Sequence, residues 1–217
     1  MKIEIKDLSK AFKNNLVLSN VNLTFSSSNI YGLYGRNGTG KSLLLKLICG
    51  FYVPTSGEIL FDGVNLNAKL KYPDNLRALI NKPSFFPDLT GFENLKMLAE
   101  IQHKINDDDI LRAMEIVNLI EEKDKKYSKY SLGTKQKLGI AQVIMENPNI
   151  LILDEPFNGI EQKTVQKLMG YLKEEKAKGK LIILSTHIKE DLDQLADKIY
   201  YFDAGTVYEE QSSEKQG

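Results

Sequence analysis

Ile30-Tyr31-Gly32-Leu33-Tyr34-Gly35-Arg36-Asn37-Gly38-Thr39-Gly40-Lys41-Ser42 is the stretch on which the fold turns. Residues 35–42 fit the pattern G-x-x-x-x-G-K-[ST] at every fixed position. The flanks supply the setting that pattern needs: Ile30 to Tyr34 reads as a short buried strand and Leu43 to Gly50 as an apolar helix. Gly35, Gly38 and Gly40 permit backbone conformations closed to other residues, so successive N–H groups turn inward at the positive end of a helix dipole. Such a loop, with Arg36, Asn37 and Thr39 at its variable positions, cradles a polyphosphate. Lys41 then reaches the β- and γ-phosphates as a point charge, and the Ser42 hydroxyl holds Mg²⁺. The implied ligand is a nucleoside triphosphate with its magnesium ion.

The 217 residues suit one large α/β domain with a small inserted subdomain. Lys plus Arg (29) balance Asp plus Glu (29), and a formal net charge of zero argues against a nucleic-acid footprint or an anionic-membrane patch. Cys49 is the only cysteine, which excludes an internal disulfide and suggests a packed core thiol in a reducing compartment. The first residues alternate charge, and no apolar run approaches the roughly 20 residues that cross a bilayer, so neither a signal peptide nor a membrane span is expected. If the protein works at a membrane, another chain supplies the membrane part.

Residues 2–8 and 16–25 alternate apolar and polar positions, the pattern of half-buried antiparallel strands, and Glu58 to Phe61 extends the same sheet. Leu76 to Ile80 reads as a further buried strand, ended by a loop with prolines at 83 and 87. Helical spacing follows over 92–103 and 108–120, with Asp107 and Asp108 as candidate N-caps of the second helix. Together with their flanks these predict a helical insertion over about 88–135. Lys123-Asp124-Lys125-Lys126 reads as a solvated connector. Ser131 to Met145 and 161–177 read as helices. Ile150 to Leu153 and Leu181 to Leu184 are continuous apolar runs, as in parallel strands covered on both faces. A short helix, a strand over about 198–203 and a turn at Ala204-Gly205 follow, and 211–217 is polar and expected to fray.

The predicted architecture is an open α/β sheet with its site above the C-terminal strand ends. There, Asp154 is placed to hold Mg²⁺ through its water shell and Glu155 to orient and deprotonate an attacking water. Pro156 and the preceding apolar strand weigh against these two being only the acidic first turn of the next helix. His187 ends the following strand in the same way, within reach of a γ-phosphate or its water; His103 reads as a surface residue.

Ser131-Leu132-Gly133-Thr134-Lys135-Gln136, lying ahead of Asp154-Glu155, narrows the reading. With the phosphate loop and the Asp-Glu strand, it resembles the ATP-binding cassette ATPases over essentially the whole chain, as a variant of the Leu-Ser-Gly-Gly-Gln signature in which Ser131 and Gly133 match and Leu132 and Thr134 depart. The resemblance implies a P-loop NTPase core with an N-terminal antiparallel β subdomain and the helical insertion. It further implies that Phe12 stacks on adenine beside Val17, that Ser131 and Gly133 bind the γ-phosphate held by an opposite subunit, and that His187 is the switch histidine. Asn81 falls where the family has a metal-approaching Gln or Glu, Leu43 replaces a hydroxyl residue that contacts the α-phosphate, and Glu161 ends a loop that normally ends in Asp. Residues 79–87 and 131–141 are most similar to the bacitracin-type and lantibiotic-immunity export ATPases. The function so implied is ATP hydrolysis energising a separate membrane-spanning subunit, by a dimer of cassettes bound at the inner face of the cell membrane. The rival readings are a soluble cassette ATPase outside transport and a nucleotide-gated subunit with little hydrolysis; the single cassette and the intact Lys41, Asp154, Glu155 and His187 weigh against them.

Overall fold

The computed structural model describes residues 1–65 and 75–209. Two sheets enclose one helix. The first is antiparallel, in the order β2 (Asn15–Ser26), β1 (Lys2–Phe12), β4 (Ser56–Phe61), β5 (Val64–Asn65). The second runs β10 (Thr206–Glu209), β9 (Lys198–Asp203), β3 (Asn29–Tyr34), β8 (Leu181–Thr186), β7 (Ile150–Asp154), β6 (Leu76–Leu79). All of its pairs are parallel except β9 with β10, which form a hairpin closing one edge.

Side chains on a strand alternate faces, and the continuous apolar strands use that alternation to serve two cores. Ile150, Ile152, Leu181 and Ile183 point to one side, where α1 (Lys41–Ile48) sits between the sheets with Leu44, Leu45, Leu47 and Ile48 packed against Ile3, Ile5 and Phe25. Leu151, Leu153, Ile182 and Leu184 point to the other, against α4 (Leu132–Ile144) and α5 (Gln162–Ala177). Because α1 is the helix that begins at Lys41, the phosphate loop is anchored to the core that lies between the two sheets.

Between β6 and α4 lie α2 (Gly91–Ala99) and α3 (Asp107–Ile116), followed by 3-10 turns at Ile120–Glu122 and Tyr127–Lys129. The helix expected over 92–103 stops at Ala99, and His103 lies beyond it with φ +51°. The helix expected over 108–120 starts at Asp107 and ends at Ile116. Its N-cap is Asn106, whose side chain accepts from Asp109 N while Asp109 caps Asn106 N in return, so Asp107 and Asp108 are first-turn residues and not caps. The loop from Asn81 to Thr90 is pinned from beneath. Fully buried Asn94 accepts from Phe86 N (2.8 Å) and donates to Phe86 O (3.1 Å) and Thr90 O (2.9 Å), and Tyr127 donates to Pro83 O (2.9 Å). Phe86 is thereby left outward and exposed. α6 (Lys189–Leu195) matches the expected short helix, whereas β5 and β10 are strands that the sequence reading does not include; β10 follows the expected turn at Ala204-Gly205. The expectation for 211–217 lies outside the described residues.

Candidate active site

The phosphate loop links the C-terminal end of β3 to α1, as the strand-to-helix setting requires. Gly40 takes φ +108°, and a Cβ there would stand 2.6 Å from the Leu18 side chain, so both conformation and space demand glycine. Lys41 is buried at 4% exposure, with its ammonium donating to Gly35 O (2.6 Å) and Arg36 O (3.1 Å). Burial pushes its pKa down, and the carboxylates of Glu155 and then Asp154 push it back up. The lysine is thus coupled to both acids through space, with Glu155 Oε1 4.0 Å away.

A pocket of about 330 Å³ opens above the loop. Its walls bring together residues far apart in the chain: Phe12 and Val17 from the antiparallel sheet, Asn37, Gly38, Gly40, Lys41, Ser42 and Leu43 from the loop and α1, and Glu155 from the end of β7. Lys46 and Tyr52, which the sequence did not single out, complete it. A second hollow on the other side of the loop holds Gly35, Arg36, Asn37, Thr39 and His187. Asp154, Ser131, Gly133 and Asn81 line neither.

Asp154 and Glu155 leave β7 in different directions because the backbone turns between them. Glu155 adopts φ +49°, a left-handed conformation costing about 1–2 kcal/mol for a residue with a Cβ. Hydrogen bonds hold it there. Glu155 N donates to Ser185 O (3.0 Å) and Ser185 Oγ (3.2 Å), and Gln136 Nε2 donates to Glu155 O (3.1 Å). Asp154 is buried and accepts from Ser185 Oγ, its neighbour across the β7–β8 register. The Glu155 carboxylate accepts from His187 Nδ1 at 2.9 Å through Oε2, while Oε1 is buried without a hydrogen-bond partner.

On the opposite flank, Ser131 caps α4, accepting from Thr134 N at 3.1 Å and sharing a hydrogen bond with Thr134 Oγ1 at 2.7 Å. Thr134, a departure from the signature, is thus part of the cap. Gly133 packs so closely that a Cβ would lie 2.1 Å from Gly159 O, which ties the signature turn to residues 158–161 of the same chain. Glu161 pairs with Lys137 at 2.7 Å.

Comparison with known proteins gives the family. The sequence profile described as ABC transporter matches residues 18–158, and an uncharacterized ABC transporter ATP-binding protein, YybJ of Bacillus subtilis (strain 168), is 42% identical over 90% of this chain and 89% of its own. The chain belongs to the ABC transporter family. Within the family, the cassette is 37% identical to the bacitracin transport ATP-binding protein BcrA of Enterococcus faecalis, over 96% of this chain and 68% of that one. Its structure superposes on that of an ATP-binding subunit of an ABC transporter with a TM-score of 0.84 at 28% identity, covering 95% and 88% of the two chains. The cassette is accordingly an ATP-binding subunit with the mixed α/β fold of P-loop ATPases. No helix among the described residues is long and apolar enough to cross a membrane.

Proposed function

We propose that this cassette hydrolyses ATP to drive a membrane-spanning export partner, with water attacking the γ-phosphate in the pocket between Phe12 and Glu155. The observation that supports this most is Glu155 Oε1. It is a buried carboxylate oxygen with no hydrogen-bond partner, on the wall of the pocket that also holds Lys41 and Ser42. Its one counter-charge, Lys41 Nζ at 4.0 Å, lies beyond hydrogen-bond reach, so the oxygen keeps its capacity for a donor, and the attacking water is such a donor. Phe12 offers its ring to the base, and Lys41 exchanges its loop carbonyls for phosphate oxygens.

The donor set fits Mg²⁺. Ser42 gives one hydroxyl and Asp154 one carboxylate, and no group of three or more His, Cys, Asp or Glu among the described residues forms a protein cage. That suits an ion that takes most of its ligands from substrate phosphates and water. When bound, the ion neutralises charge on the β- and γ-phosphate oxygens. Asn81 is exposed and outside the pocket, so it approaches the ion only if its loop moves inward.

Ser131 and Gly133 line no part of the pocket of their own chain, in keeping with service to the nucleotide of a second cassette. The pinned loop with Phe86 at its tip, beside α2 and α3, is the docking face for the membrane partner. On this reading the cassette sits on the inner face of the cell membrane through that partner. Relatives such as BcrA favour an export system of the bacitracin type. Co-purification from membranes tests the reading. The wild type is expected to carry a multi-span protein with it and to release phosphate faster in that complex, and Phe86→Asp to lose both the partner and the stimulation.

A further inference from the structure

The loop leaving α1 reads Phe51-Tyr52-Val53-Pro54-Thr55. Its three consecutive apolar residues stay open to solvent, with Phe51 and Val53 each 63% exposed and Tyr52 40%. The Tyr52 side chain has an aromatic partner. Its ring stands edge-to-face with Phe12, centroids 5.4 Å apart at 82°, and both rings line the nucleotide pocket. The loop is laced to the end of β1 by three hydrogen bonds: Thr55 N to Ser9 O (2.8 Å), Ala11 N to Thr55 Oγ1 (3.0 Å) and Lys10 Nζ to Val53 O (2.8 Å). The same Lys10 ammonium lies 5.1 Å from the Phe12 centroid and 5.8 Å from that of Tyr52, so one tethered cation serves both rings.

Phe12 is 42% exposed near a strand end, where an unsupported ring samples several rotamers. Freezing such a ring on binding subtracts from affinity, and a ring already held avoids that loss. The Tyr52 ring and the Lys10 ammonium brace Phe12 before any ligand arrives. Lys10 does not line the pocket, and neither residue belongs to the phosphate loop.

We propose that Tyr52, braced by Lys10, is a positioning residue of the nucleotide site that holds Phe12 in its stacking orientation and adds a second aromatic surface for the base. The inference rests on Phe12 carrying the base. Aromatic stacking tolerates any purine, so the contribution is to affinity and not to the choice between adenine and guanine.

Calorimetric titration of the full chain with ATP and with inorganic tripolyphosphate, which has no base, tests it. Tyr52→Ala and Lys10→Met are expected to weaken ATP binding by about threefold to tenfold, the loss expected from one unrestrained side chain. Tyr52→Phe is expected to retain wild-type affinity, and tripolyphosphate binding to stay unchanged throughout, which also reports an intact phosphate loop. Unchanged ATP affinity in Tyr52→Ala and Lys10→Met, with Phe12→Ala clearly weakened, overturns the role given to Tyr52 alone. Unchanged ATP affinity in Phe12→Ala overturns the base-site reading beneath it. If tripolyphosphate binding falls in step with ATP binding in Tyr52→Ala and Lys10→Met, the loop supports the whole site without regard to the base, and the proposal is wrong.

Discussion

His187 Nδ1 lies 2.9 Å from Glu155 Oε2, joining the ends of two adjacent parallel strands across the mouth of the phosphate loop. A carboxylate only accepts, so His187 donates from Nδ1, which leaves Nε2 as the ring's free nitrogen. Apart from this bond, the carboxylate accepts one long hydrogen bond at Oε2, from Asn158 Nδ2 at 3.4 Å, and stands 4.0 Å from Lys41 Nζ through Oε1.

Removing the imidazole therefore releases Glu155 without emptying the nucleotide pocket, whose lining does not include His187. His187→Ala is expected to lower kcat by about a hundredfold or more while the KM for ATP moves little, since an orienting partner of a general base is lost and ground-state binding is not. Steady-state phosphate release over a range of ATP concentrations checks the split. A rise in KM with kcat preserved would place His187 in binding instead.

Asn81 has a backbone reason for its identity. It takes φ +67°, a left-handed conformation that Asn enters more readily than Gln or Glu. Asn81→Gln is thus expected to lower stability by about 1 kcal/mol, and Asn81→Gly to be tolerated. Urea unfolding midpoints decide between this and a purely ligand-directed role, for which Asn81→Gln leaves the midpoint unchanged.

Cys49 is buried at the end of α1, and burial pushes its thiol up to about 12. The thiolate is the reactive form, and burial keeps the native thiol protonated at pH 8. Iodoacetamide is expected to leave native Cys49 unmodified from pH 7 to 9 and to label it rapidly once denaturant is added. Rapid labelling of the folded protein would mean that the packing around α1 opens.

The parts of the site that sequence made legible are those written contiguously. The phosphate loop occupies eight consecutive residues, and Asp154-Glu155 closes an unbroken apolar strand, so spacing and flanks suffice. What escaped depends on contacts between distant segments. Tyr52 joins the pocket through Phe12, and Gln136 reaches Glu155 O from the middle of α4; no periodicity marks either. Strands β5 and β10 are short edge strands whose hydrogen bonds, more than any apolar face, define them. Asn106 was overlooked as a cap because three aspartates follow it, and the reciprocal residue, Asp109, is shorter than the Glu or Gln expected there.

The central claim is that Glu155 is the base of an ATPase site built in this pocket. The most direct measurement compares Glu155→Gln with wild type for ATP affinity and for single-turnover phosphate release. An amide keeps the size of the side chain but accepts no proton from water, so affinity is expected to stay within about threefold while the rate of phosphate release falls by two orders of magnitude or more. Phosphate release by Glu155→Gln at the wild-type rate, from a protein that binds ATP normally, would contradict the account.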